Sequence, residues 1–191
     1  MYLALEGVDG AGKSTQLAAL KQLYPDAVFT LEPGGTPLGG KLRELVLHHK
    51  MDKTARLFLF LADRAEHAAK VIAPNEGKLI ISDRSALSGA AYAWGDADHA
   101  LLAAMNRLAT RDRLPDRAVL LKMDEATIKT RLSHDRLDEI EKQGLDFLLS
   151  VQDRLIDAAK LLNVPLTVID AALEPQTITK QLKELIDDHR A

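Results

Sequence analysis

The sequence predicts an α/β fold, a five-stranded parallel sheet flanked by helices, and three observations predict it. Short apolar runs rich in branched residues alternate with longer segments of helical periodicity, the pattern of a parallel sheet covered by helices. The first run passes directly into Gly7-Val8-Asp9-Gly10-Ala11-Gly12-Lys13-Ser14, a glycine-rich turn placed between a strand and a helix. No repeat, low-complexity tract or linker divides the 191 residues, so residues 1–191 read as one domain.

The first strand runs from Tyr2 to Glu6, and a helix from Ser14 to Tyr24 is ended by Pro25, which cannot continue it. A second strand spans Ala27 to Leu31, followed by a helix from Leu38 to Leu47 with Leu38, Leu42, Leu45 and Val46 on one face. Asp52 can cap a longer helix that reaches about Ile72 and stops before Pro74. The third strand is Lys78 to Ser82, and the next helix is Asp98 to Thr110. Arg117 to Lys122 forms the fourth strand, with helices from Glu125 to Ser133 and from Asp146 to Leu162 after it. The latter aligns Leu148, Val151, Leu155, Ala159 and Leu162 on one stripe. Leu166 to Ile169 is the fifth strand, and Pro175 opens a final helix to about Asp188, at a position where a first turn tolerates proline.

With 47% hydrophobic and 28% charged residues the chain can build and solubilise a core, and its net charge of -3 contains no basic block. That distribution lacks the footprint of a general nucleic-acid binder. No cysteine is present, which removes disulfides and thiolate metal sites and favours a reducing compartment. Met1 to Glu6 reaches a carboxylate too soon for a signal peptide, and no apolar run is long enough to cross a bilayer. A cytoplasmic protein with no membrane partner is the expectation.

The glycine-rich turn carries the strongest chemical signal. Its backbone N–H groups can face phosphate oxygens while the following helix adds its positive end. Lys13 supplies a mobile charge for the outer phosphates, and Ser14 is the expected Mg²⁺ ligand. Asp83 stands at the end of the third strand, where a carboxylate can orient the magnesium shell; the alternative is a cap for the next helix. Arg84 beside it suits a phosphate.

Over nearly its whole length the chain resembles the thymidylate kinases. The residues that carry this resemblance are Glu6 through Thr15, Glu32-Pro33-Gly34-Gly35-Thr36, Phe60-Leu61-Ala62-Asp63-Arg64, Ser82-Asp83-Arg84-Ser85, Ala91-Tyr92, Leu114-Pro115-Asp116 and Leu137-Asp138-Glu139-Ile140-Glu141. The resemblance implies a P-loop kinase fold, a homodimer, and transfer of the ATP γ-phosphate to dTMP with Mg²⁺. It makes Gly7, Val8, Asp9, Gly10, Ala11, Gly12, Lys13, Ser14 and Thr15 the ATP cradle, and Asp9 also the carboxylate near the acceptor. Arg84 becomes the clamp on the acceptor phosphate, with Pro33 and Arg43 as further contacts. Phe60 and Arg64 share one helix face and are implied to stack on thymine and hydrogen-bond to it, while Tyr92 crowds the sugar C2′ position.

The stretch at about 131–144 resembles the family's lid, which closes over ATP and excludes water. Gly10 and Ala11 leave the phosphate loop without an arginine, so Arg136 is the lid residue implied for catalysis, and Arg131 is placed at the nucleotide. For Arg43 a solvated helix face, for Phe60 a place in the core and for Tyr92 simple burial are the competing readings. Leu31, Ser85, Gly89 and Glu139 depart from the family's pattern. A related kinase for another monophosphate or a deoxynucleoside is one rival function. A GTP-dependent switch is another, but Asp-x-x-Gly occurs only inside the phosphate loop and Thr179-Lys180-Gln181-Leu182 lacks the final aspartate of a guanine motif.

Overall fold

The strand that precedes the glycine-rich turn lies at the centre of the sheet. The computed structural model describes residues 1–95, 98–131 and 144–190. Among them β1 (Tyr2–Glu6), β2 (Val28–Leu31), β3 (Ile80–Asp83), β4 (Arg117–Lys122) and β5 (Leu166–Asp170) align in the order β2-β3-β1-β4-β5, all parallel. Every residue of β1 is buried, which explains why the run shows no apolar-polar alternation. Leu5 pairs with Asp83 and with Val119, and Leu31 pairs with Asp83. The loops after β1, β2 and β3 therefore open together at one end of the sheet, where a parallel α/β fold holds its ligands.

The helices are α1 (Lys13–Leu23), α2 (Pro37–His48), α3 (Lys53–His67), α4 (Ala86–Tyr92), α5 (His99–Thr110), α6 (Glu125–Arg131), α7 (Leu145–Leu162) and α8 (Pro175–Arg190). They cover the sheet as the periodicity requires: α7 buries Leu148, Val151, Leu155 and Leu162 against a core shared with Leu3, Leu5 and Leu120. Each such side chain withdrawn from water contributes roughly 1.5–3 kcal/mol. Opposite the open end, Met1, Tyr24, Lys78 and His189 border a second cavity. No described helix is long and apolar enough to cross a membrane.

The expected elements form, with instructive differences. Asp52 accepts from the N–H groups of Thr54 and Ala55 and caps α3. The α-helical turns end at His67, and the chain continues as a π-helical turn, Ala68–Ile72, and a 3₁₀ turn, Ala73–Asn75. Pro74 is the reason: its ring and missing N–H forbid regular i to i−4 bonding in that turn. β3 starts later than expected because the N–H of Lys78 turns back to Asn75. Helix α4 was not expected at all. Ala86, Leu87, Ser88, Ala90 and Ala91 are all buried, so the segment has no polar stripe from which helical periodicity could be read. The helix expected from Glu125 to Ser133 is seen to Arg131, and Ser133 lies outside the described residues.

Candidate active site

At the C-terminal end of β1 the chain turns through Gly10 and Gly12, with φ of 78° and 95°. Such values suit glycine and little else. Gly12 offers α1 no side-chain cap, so the first N–H groups of that helix remain turned toward the loop. Val8 and Ala11 bury their side chains in the core, which leaves only their backbone for a ligand. Lys13 Nζ donates to the carbonyls of Gly7 at 2.8 Å and Val8 at 3.2 Å, and lies 3.7 Å from Asp9 Oδ1. Burial and then the Arg84 charge lower the Lys13 pKa to about 8, against the pull of Asp83, Asp9 and Glu6.

Arg84 sits where β3 ends, and its backbone adopts a left-handed φ of 70°. A non-glycine residue held there stores strain, and here the turn aims the guanidinium back at the loop. Its Nη1 donates to the Gly7 carbonyl at 2.9 Å and its Nη2 to Asp9 Oδ1 at 2.5 Å. Burial disfavours its charge, but Tyr92, Asp9, Asp83 and Glu6 outweigh that and raise its pKa. Asp83 does not cap α4; Ser85 does, accepting from the N–H of Leu87 at 3.2 Å. Asp83 Oδ1 is instead buried with no hydrogen-bond partner among the described residues. Beneath this cluster Glu6 accepts from Ser85 Oγ at 2.7 Å and Ser88 Oγ at 2.5 Å. Burial pushes the Glu6 pKa up to about 7, although both serines and Arg84 oppose the shift.

Farther from the loop, Arg64 is only 3% exposed, and a charge so deep needs partners. Nε donates to Glu32 Oε2 at 3.0 Å and Nη1 to Asn106 Oδ1 at 2.8 Å. Glu32 is held in turn by His67 Nδ1 at 2.8 Å, whose other ring nitrogen is 2.7 Å from Thr30 Oγ1. Burial opposes the Glu32 charge, yet Arg64 and His67 hold its carboxyl below the usual range. Arg43 Nη1 donates to the Pro33 carbonyl at 2.9 Å. Tyr92 stands beneath the Arg84 guanidinium at 5.8 Å and near the Phe147 ring at 6.1 Å.

These groups border one cavity of about 520 Å³ that runs from Lys13, Ser14 and Thr15, past Asp9, Asp83 and Arg84, to Pro33, Arg43, Phe60, Arg64 and Tyr92. Both Arg43 and Phe60 line it, so neither is a purely solvated or purely core residue. Arg131 stands apart, donating to the carbonyls of Gly10 at 3.4 Å and Ala171 at 2.9 Å. Arg136 lies outside the described residues, as does most of the expected lid. Among the described residues no group of three or more histidines or carboxylates could hold a metal by itself. Ser14 and the orphaned Asp83 oxygen on the same cavity wall nevertheless suit a magnesium ion carried mainly by phosphates and water.

The sequence reading assigned no role to Ser88 or Asn106, and gave Glu6 and Glu32 none beyond their motifs. For Glu6 and Glu32 a signal exists, a carboxylate at the end of an apolar strand; for Asn106 the sequence offers none. The chain matches the family model "Thymidylate kinase" over residues 5–182. It is 47% identical to the thymidylate kinase of Sulfurimonas denitrificans, covering 95% of this chain and 97% of the relative. Its identity to the thymidylate kinase of Campylobacter jejuni subsp. doylei is 46%, over 97% and 100%. The solved thymidylate kinase of Ehrlichia chaffeensis superposes with a TM-score of 0.74 at 28% identity, over 98% of both chains.

Proposed function

The chain belongs to the thymidylate kinase family and phosphorylates dTMP to dTDP, and we propose that it does so with ATP on the phosphate loop and dTMP beyond Arg84. The observation that carries this placement is the continuity of the cavity. The glycine-rich turn with Lys13 and Ser14 at one end, and Phe60, Arg64 and Tyr92 at the other, are joined across Arg84. Neither rival function is favoured, since relatives matching nearly the full chain are thymidylate kinases.

Transfer forms a bond from an acceptor phosphate oxygen to the terminal phosphorus of ATP and breaks the bond to its bridging oxygen. Two anions must meet, so catalysis is positioning and charge neutralisation. Lys13 and Arg84 supply fixed cations in the same cavity, while Asp9 keeps Arg84 aimed at the loop and faces the acceptor. Arg136 is assigned the transferring phosphoryl group and Arg131 the nucleotide, within a single domain of residues 1–191 whose lid spans about 131–144. Ser14 and Asp83 would hold Mg²⁺, whose chemistry when bound is to neutralise developing phosphate charge.

Thymine is read against Phe60 and Arg64, the deoxyribose against Tyr92, and the acceptor phosphate against Arg84, Arg43 and the Pro33 turn. The protein is further read as a cytoplasmic homodimer serving dTTP synthesis. In support of the dimer, the neighbouring helices α2, α3 and α5 expose Leu38, Leu45, Phe58, Leu101 and Leu108, apolar side chains that a second copy would cover. The test of the whole reading is ADP formation from ATP with dTMP, dUMP, dCMP, dGMP and AMP as acceptors. Strong preference for dTMP is expected, and equal turnover of dCMP would place the base elsewhere.

A further inference from the structure

We propose that Glu6 is a positioning residue for Arg84: its buried carboxylate, acting through the hydroxyls of Ser85 and Ser88, holds the turn that aims that guanidinium. The proposal rests on the reading that Arg84 meets the acceptor phosphate, and deepens it. Glu6 closes β1 after Leu3, Ala4 and Leu5, and like them it has no exposed surface. A carboxylate in such a place costs the fold more than an apolar side chain of similar size, and it needs donors. Both of its oxygens are spent on one short segment. Oε1 accepts from Ser85 Oγ at 2.7 Å and Oε2 from Ser88 Oγ at 2.5 Å. Ser85 directly follows Arg84, and Ser88 lies one helical turn beyond it, on α4.

Arg84 needs such bracing. A left-handed backbone at a residue with a Cβ relaxes unless its neighbours hold it. From the strand side, the Arg84 N–H donates to the Leu5 carbonyl at 2.9 Å, and Ser82 Oγ donates to the Arg84 carbonyl at 2.7 Å. From the helix side the grip is Glu6. Ser85 caps α4 by accepting from the Leu87 N–H at 3.2 Å and gives its own proton to the carboxylate, so the first turn of α4 is tied to β1. Ser88 reaches the guanidinium itself. With its proton given to Glu6, its oxygen is left to accept from Arg84 Nη1 at 3.5 Å, while the same nitrogen donates at 2.9 Å to the carbonyl of Gly7, the next residue after Glu6. The Arg84 side chain is thus held between a hydroxyl that Glu6 orients and a carbonyl beside Glu6 in the chain. Ser85 departs from the family's pattern, so its half of the clasp is a feature of this sequence.

Thymidine, which lacks the phosphate, separates positioning of Arg84 from general damage to the site. The experiment measures Kd for dTMP and for thymidine by calorimetry, together with Tm, in the wild type, Glu6→Met, Glu6→Gln, the Ser85→Ala/Ser88→Ala double variant and Arg84→Ala. Glu6→Met and the serine double variant are expected to weaken dTMP by about 10-fold and to leave thymidine within about twofold, as losing one charged hydrogen bond to the phosphate would. Glu6→Gln recovers most of the dTMP affinity, because its amide can accept from one hydroxyl and donate to the other. Thymidine weakened as much as dTMP, or dTMP affinity unchanged, overturns the proposal, as does a Glu6→Gln protein no better than Glu6→Met. Should Glu6→Met not fold, the serine double variant stands in its place and the same outcomes decide. An Arg84→Ala protein that loses dTMP and thymidine equally would instead sink the assignment of Arg84 to the acceptor phosphate, a failure visible without any change at Glu6.

Discussion

Lys13 and Glu6 are both buried ionisable residues near the phosphate loop, and burial shifts them in opposite directions, lysine down to about 8 and glutamate up to about 7. For Lys13 the consequence is functional: as pH rises through about 8 the free enzyme loses the ammonium proposed to hold phosphate, so kcat/KM for ATP should fall above that pH. Lys13→Ala should abolish measurable turnover with the fold retained, because among the described residues its ammonium meets groups of its own loop, the Gly7 and Val8 carbonyls and the Asp9 carboxylate; near-normal turnover by a folded variant would remove it from the chemistry. For Glu6 the consequence is thermodynamic. Between 4.5 and about 7 the folded protein holds a proton that the unfolded chain has released. Its contribution to stability is thus complete below about 4.5 and lost as pH rises through about 7. Relative to Glu6→Gln, wild-type stability should decline across that window by on the order of 3 kcal/mol, read from denaturant melts at several pH values; a pH-independent difference would refute it. The i, i+4 pairing of Phe60 with Arg64 was legible in the sequence because one helix carries both. Their surroundings were not, since Glu32 and Asn106 stand 32 and 42 positions from Arg64, and no local pattern encodes a contact at that range.

Among the elements, those with one wet and one dry face were legible. α7 shows its stripe and α3 its aspartate cap, whereas α4 is buried nearly all round and escapes any reading of periodicity. Yet α4 holds much of the site together, starting just after Arg84, carrying Ser88 and Gly89, and ending at Tyr92. Small residues make this possible: Ala90 and Ala91 have no exposed surface, and α4 packs along α7. A larger side chain would wedge the two helices apart. Ala91→Leu should therefore destabilise by about 1–3 kcal/mol, the usual cost of overpacking, and lower kcat as Tyr92 and Arg84 shift. A urea midpoint equal to wild type would mean that the helices have room to spare.

At the scale of the molecule, the alternation of runs and helices made the α/β class legible, but the order β2-β3-β1-β4-β5 depends on long crossovers that local patterns do not record. If the exposed leucines and Phe58 on α2, α3 and α5 form the proposed dimer seam, light scattering should give a mass of twice 20.9 kDa; a single-chain mass at micromolar concentration would refute the homodimer. The parallel sheet also sorts the chain's ends. Because the strands all point one way, the loops that make the cavity gather at their C-terminal edge, while Met1 and His189 meet around the second cavity at the other. For anyone tethering the protein to a surface, a bead or a fluorescent reporter, residue 1 and the end of α8 are equivalent handles: either one turns the mouth of the larger cavity outward to the solution.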